Sequence, residues 1–197
     1  MGRLTEDKER RTNMLKKISG SMASLTVGFI GFIVALAGIA KVEHSFADTN
    51  PAFGDLKSPV EVYFFTDWFC PACHKTEPAF EKALPAIMAK ARVFFIDMPI
   101  HEASLNFLPY NLSFMLKEKA KYIQLRRALA ELSEKDNTPS EKEVEELAKK
   151  QDVVYHQLDF AEVNQGLKYF KKMAEKYSVD ATPTLVITTQ QPRKQKS

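Results

Sequence analysis

The sequence predicts an α/β domain, and three observations carry that prediction. An apolar stretch, Val60-Glu-Val-Tyr-Phe-Phe-Thr66, runs directly into a helical pattern that opens at Cys70-Pro71-Ala72-Cys73. A second apolar run, Arg92-Val-Phe-Phe-Ile-Asp-Met98, follows that helix. A third, Thr184-Leu-Val-Ile-Thr188, comes after a long helical stretch over residues 102–177. Short β-branched and aromatic runs separated by helical patterns belong to a mixed fold with a buried sheet.

Taken from the N-terminus, residues 3–17 set Arg3, Lys8, Arg10, Arg11, Lys16 and Lys17 against Glu6, Asp7 and Glu9. Ser21 to Ala40 then carry no charge over twenty residues. At about 1.5 Å per residue, this length matches the ~30 Å hydrocarbon core of a bilayer. A cleaved signal has a shorter apolar region, about 7–15 residues. The expected layout is therefore a basic cytoplasmic tail (1–20), a transmembrane anchor or uncleaved signal (21–40) and a polar linker (41–57). The positive flank stays in the cytoplasm, and the remainder lies on the extracytoplasmic, periplasmic side.

Val60–Thr66 reads as a buried strand. In the helix after it, Phe80, Ala83, Leu84 and Ile87 fall on one face. Arg92–Met98 is a second strand closed by Pro99. Pro109 precedes a predicted helix of about twenty residues, with Leu112, Met115, Leu116, Tyr122, Ile123 and Leu129 on one side and Lys117, Lys121 and Arg126 elsewhere. Thr138-Pro-Ser-Glu141 reads as a capping box opening a short helix through about Lys150, and Asp159-Phe-Ala-Glu162 as a second cap. The helix that follows carries Val163, Leu167, Phe170, Ala174 and Tyr177. The Lys/Glu stretch from Ser133 to Lys150 reads as a solvated face.

The chemistry points to the two cysteines. Cys70 falls at the N-cap and Pro71 at the first helical position, where a missing N–H costs nothing. A thiolate there meets unpaired N–H groups and the positive end of the helix dipole, which lowers its pKa. Cys73 lies one turn on, within reach of a short disulfide with Cys70. The spacing makes Cys70 the nucleophile or leaving group and Cys73 the resolving thiol. Two cysteines supply half of an all-cysteine zinc site and too few for a disulfide framework, so no metal is expected. A net charge of +3, spread over mixed-sign helices, points to no nucleic acid.

With these residues in place, the chain resembles the thioredoxin superfamily, and within it the exported DsbA/DsbC-like thiol-disulfide oxidoreductases. Phe65-Thr-Asp-Trp-Phe-Cys-Pro-Ala-Cys-His74 looks like their F-x-D-x-x-C-P-x-C segment, and Ala181-Thr-Pro-Thr184 like their T-P-T loop. Pro78 is similar to the helix-kinking proline of thioredoxin. The resemblance covers residues 58–188 and includes a helical insert over 102–177. It implies a thioredoxin-like fold with a cis Pro183 against the Cys70–Cys73 pair and Thr182 lining a substrate groove. It also implies that Pro71, Ala72 and His74 modulate the thiolate. Substrates would be thiols or disulfides of exported proteins, no dissociable cofactor is needed, and a membrane redox partner would recharge the pair.

Three features depart from the family pattern. Phe64 stands six residues before Cys70, where DsbA and thioredoxin carry a buried acid. Ala72 replaces the histidine of the C-P-H-C oxidases, which implies a weaker oxidant; Thr182 is no departure from the superfamily but looks more like DsbC than DsbA. The residues after Thr188 are too short and polar for the family's further strand and closing helix, which leaves Thr184–Thr188 as an edge and 189–197 as a polar tail. A non-catalytic binding or assembly protein on the same fold is the rival reading. A c-type haem site using Cys70-x-x-Cys73-His74 is a weaker one. Asp67 is expected to bond backbone N–H groups of the turn. Trp68 and Phe69 read as an apolar rim or as packing, and His44, His101 and His156 as linker or surface residues.

Overall fold

A computed structural model describes residues 50–189. The basic tail, the apolar segment 21–40, most of the linker and all but the first residue of the 189–197 tail fall outside that range. Among the described residues, no helix is long and apolar enough to cross a membrane. The elements are β1 (Phe53–Gly54), β2 (Val60–Thr66), α1 (Pro71–Met88), β3 (Arg92–Asp97), a 3-10 turn (Glu102–Asn106), α2 (Leu108–Lys117), α3 (Tyr122–Ser133), α4 (Glu141–Lys150), α5 (Phe160–Tyr177) and β4 (Thr184–Thr189).

The four strands form one sheet in the order β1-β3-β2-β4. β2 and β3 are parallel, with Tyr63 opposite Phe94 and Phe64 opposite Phe95, and α1 makes the crossover between them. β1 and β4 flank this pair antiparallel. A central parallel pair is buried on both faces, which explains the continuous apolar runs in β2 and β3. Successive side chains point to opposite faces. Phe64 stacks on Phe80 of α1 at 4.2 Å, while Tyr63 stacks on Phe94 at 4.5 Å and meets Tyr177 of α5 at 4.8 Å. α1 and α5 therefore cover the two faces, and α3 joins α1 through Tyr122, which packs against Phe95 and Phe53.

Residues 50–57, read from sequence as linker, include β1, with Ala52 and Phe53 buried. Gly54 turns there at φ 83°, and a Cβ at that position would lie 2.6 Å from the Ala91 carbonyl oxygen. The helix expected after Pro109 is instead two helices broken over residues 118–121, where Glu118 leaves the helical region at φ −127°, ψ 45°. The Tyr122 hydroxyl donates to Asn111 Oδ1 at 3.0 Å. Eleven residues of straight helix would hold those positions about 16 Å apart, so this bond requires the chain to fold back.

The cap of α4 is Ser140, not Thr138. Ser140 and Glu143 form the reciprocal box, while Thr138 N and Oγ1 both bond Asp136 Oδ1. The Asp159/Glu162 box at α5 is present as expected. β4 pairs with β2 on one side and is a sheet edge among the described residues. Leu185 and Ile187, opposite Phe64 and Val62 on the α1 face, are half to two-thirds exposed.

Candidate active site

β2 delivers Thr66, Asp67, Trp68 and Phe69 to a turn that ends on α1. Cys70 is the N-cap, extended at φ −79°, ψ 117°, and Pro71 follows in the first turn. The turn is closed by the Cys70 N–H donating to the Asp67 carbonyl at 3.3 Å, and the Cys70 carbonyl accepts from His74 N–H at 3.2 Å. No oxygen side chain caps α1, so the free N–H groups of its first turn face sulfur. Pro71 and Ala72 are exposed, Cys70 is 8% exposed and Cys73 1%.

Both cysteines are free thiols. Burial pushes the Cys70 thiol up, but the Thr182 side chain, the Cys73 backbone N–H and thiol, and the Ala72 N–H together bring it below the ordinary thiol value. Cys73 goes the other way. Its deeper burial outweighs the Asp67 N–H and the hydroxyls of Thr182 and Thr66, and the neighbouring Cys70 adds to the rise. Cys70 is thus shifted towards the thiolate and is the more accessible of the two, while Cys73 is shifted towards the thiol and more deeply buried.

The Thr182–Pro183 bond is cis, and the Cys70 thiol donates to the Thr182 carbonyl at 3.4 Å. All seven residues singled out in the sequence (Cys70, Pro71, Ala72, Cys73, His74, Thr182 and Pro183) thus belong to the top of α1 or to the segment that closes on it. His74 Nδ1 is 3.8 Å from Glu134 Oε1 and makes no closer ion pair.

Asp67 bonds a backbone N–H of the turn as the sequence suggested, that of Phe69, but its partners beyond the turn were not foreseen. Asp67 is buried, and Oδ2 accepts from the N–H groups of Ile100 and His101 at 2.8 and 3.1 Å and from Ser104 Oγ at 3.0 Å. Oδ1 accepts from Phe69 N–H at 2.9 Å and lies 2.8 Å from His101 Nδ1. Although burial alone would raise it, these donors hold the Asp67 carboxyl below its ordinary range. His101 is exposed, as read from the sequence, and is at the same time a partner of the turn.

Trp68 is buried as packing rather than displayed as a rim, and its Nε1 donates to Asp97 Oδ2 at 3.1 Å. Asn111 Nδ2 reaches the same oxygen at 2.8 Å. Arg126, placed by the sequence away from the apolar side of its helix, is buried. It bonds Glu77 at 2.6 Å and Asp97 at 3.4 Å, and its guanidinium lies 4.5 Å from the Trp68 ring centre. The sequence signal for this cluster was Asp97 at the end of an apolar run; nothing local sets Arg126 apart from Arg127 beside it. Among the described residues, no group of three or more His, Cys, Asp or Glu side chains is arranged to hold a metal ion.

Comparison with known proteins agrees with this architecture. No curated protein matches the sequence. Among solved structures, the chain is similar to a periplasmic thioredoxin-like protein from Salmonella enterica serovar Typhimurium, at 20% identity and a TM-score of 0.57 over 72% of this chain and 80% of that one. It is similar to the catalytic domain of Proteus mirabilis ScsC, at 20% identity and a TM-score of 0.56 over 78% and 84%. Pseudomonas aeruginosa DsbA2 aligns at 17% identity and a TM-score of 0.53 over 71% and 80%. These likenesses are to the fold. The thioredoxin family model matches residues 47–197, the greater part of the sequence and all of the sheet and helices described above, and the chain belongs to the thioredoxin family.

Proposed function

We propose that the protein is a membrane-anchored thiol-disulfide oxidoreductase whose catalytic domain works on the extracytoplasmic side, with Cys70 and Cys73 as its redox pair. The observation that carries this reading is the unlike pair of thiols at the start of α1, Cys70 lowered and Cys73 raised, facing the Thr182–Pro183 segment. In the reducing direction, Cys70 thiolate attacks a substrate disulfide and one substrate sulfur leaves, taking up a proton. Cys73 then attacks Cys70 Sγ, the substrate's second sulfur leaves, and the pair is left as a disulfide. In the oxidising direction, the same steps run backwards. Either way, turnover needs a dithiol or disulfide of opposite poise, for which a membrane redox partner is the proposed source. Pro71, Ala72 and His74 shape the thiolate's surroundings, and Thr182 and Pro183 line the groove for the substrate backbone.

An exported setting fits the charge-free segment 21–40 behind a basic flank, and a periplasmic protein is among those the fold resembles. Cys73, at 1% exposure, has no open path to a porphyrin, which disfavours the haem reading. The test is insulin reduction and dithiol-peptide oxidation by the purified protein. Cys70→Ser is expected to abolish both, and Cys73→Ser to accumulate a mixed disulfide on Cys70. Full activity in Cys70→Ser would contradict the reading and favour a binding protein on the same fold.

A further inference from the structure

Three buried side-chain polar atoms among the described residues have no hydrogen-bond partner: Thr66 Oγ1, Thr182 Oγ1 and Arg92 Nε. The arginine's charge is paired through Nη2 with Glu61 at 2.9 Å, away from the cysteines. The two hydroxyls both belong to the surroundings of the cysteine pair: Thr66 lies two residues after Phe64 on the α1 face of β2, level with the first turn of α1 that carries Cys73, and the Thr182 carbonyl accepts from the Cys70 thiol. Both side chains also favour the ionised form of Cys73.

Thr66 is the telling one. It is the last residue of β2, 1% exposed, and its carbonyl accepts from Met98 N–H at 2.8 Å. A buried hydroxyl with no partner costs about 1–3 kcal/mol, and valine would fill the same space in a strand without that cost. A thiol is a weak acceptor, but a thiolate accepts several hydrogen bonds. The unpartnered donors are therefore matched to the sulfur in its ionised form. The Asp67 N–H, next in the chain, also favours the ionised form of that sulfur.

Among the described residues, the acids nearest the pair are engaged elsewhere. Phe64 occupies the position six before Cys70 and is stacked on Phe80. The Asp67 carboxylate is turned to the 100–104 segment, Asp97 is held by Trp68, Asn111 and Arg126, and the titratable group facing Cys73 is Cys70 itself.

We propose that the Thr66 hydroxyl donates a hydrogen bond to Cys73 Sγ as that sulfur ionises, so that the chain readies its resolving thiol with donors in place of a buried base. This rests on the oxidoreductase reading above. The step it serves is release: the Cys73 proton goes to solvent, Cys73 Sγ bonds to Cys70 Sγ, the bond from Cys70 to substrate breaks, and the substrate leaves as a thiolate that takes up a proton. No other oxidant or reductant enters.

The experiment follows both steps with a disulfide peptide, using acid quench and mass spectrometry of the full chain from pH 6 to 10. Thr66→Val is expected to slow release about tenfold and move its pH midpoint upwards, with attack by Cys70 changed less than about twofold. Thr66→Ala, which does not depend on a second methyl fitting the site, should match it, and Thr66→Ser should restore release. Unchanged release in Thr66→Val and Thr66→Ala overturns the proposal, as does a Thr66→Ser variant slowed in both steps, which would mark a packing role. If the unaltered chain forms no mixed disulfide at all, the reading of Cys70 as a nucleophile falls first, and this inference falls with it.

Discussion

The Cys70 thiol donates to the carbonyl oxygen of Thr182 at 3.4 Å, joining the top of α1 to the segment before β4 across 112 residues of chain. Only a thiol can make that bond. Once Cys70 ionises, the carbonyl is released, and the Thr182 side chain becomes the partner that matters to the sulfur, since it is the strongest of the groups lowering Cys70. Thr182→Val removes the hydroxyl while keeping the shape. Iodoacetamide alkylation of Cys70 at pH 7 should slow by about three- to tenfold, as expected for loss of one hydrogen bond to a charged group. An unchanged rate would show that the first-turn N–H groups act alone.

Asp67 anchors the turn from beneath. Its carboxylate accepts three backbone N–H groups and the Ser104 hydroxyl and faces His101, so Asp67→Ala leaves several buried donors without a partner. The expected loss is ~3 kcal/mol, read as a lower urea midpoint. The pH dependence has a defined sign. The folded-state pKa lies below the unfolded value, so the contribution is complete above the unfolded carboxylate pKa, about 3.9, and is lost as pH falls through the folded pKa. The gap between wild type and Asp67→Asn should therefore be widest near neutrality and narrow in strong acid.

Arg126 is the cation of a buried cluster, and its removal strands two acids. Burial already pushes the Asp97 carboxyl up, with the Arg126 guanidinium the first influence opposing it. Arg126→Met should cost about 3–5 kcal/mol, because breaking a buried pair leaves an uncompensated charge. Adding Asp97→Asn should recover part of that loss. A loss below about 1 kcal/mol on urea denaturation would mean that water reaches the cluster.

Local pattern carried much of the fold. The β2 and β3 runs, α1, the Asp159 cap and the cysteine pair at a helix start were legible because each depends on residues within a few positions. The T-P-T loop was legible through resemblance alone, since nothing in its local sequence sets the bond geometry. What the sequence did not reveal depends on distant pairs: Asp67 with His101 are 34 apart, and Arg126 with Glu77 49 apart. The break between α2 and α3 has no glycine or proline to announce it, and it is spanned by a side-chain bond from Tyr122 back to Asn111. At α4, Thr138 and Ser140 both satisfy the same capping pattern, and Asp136 decides between them by holding Thr138 upstream. Thr66 carried no sequence signal, because a threonine closing a strand is ordinary.

The most direct measurement is the alkylation rate of each cysteine across pH 5 to 11, resolved by peptide mass spectrometry on the reduced protein. Cys70 is expected to react with a midpoint below that of a free thiol, about 8.5, and Cys73 with one above it. Two cysteines titrating together at the free-thiol value would contradict the account.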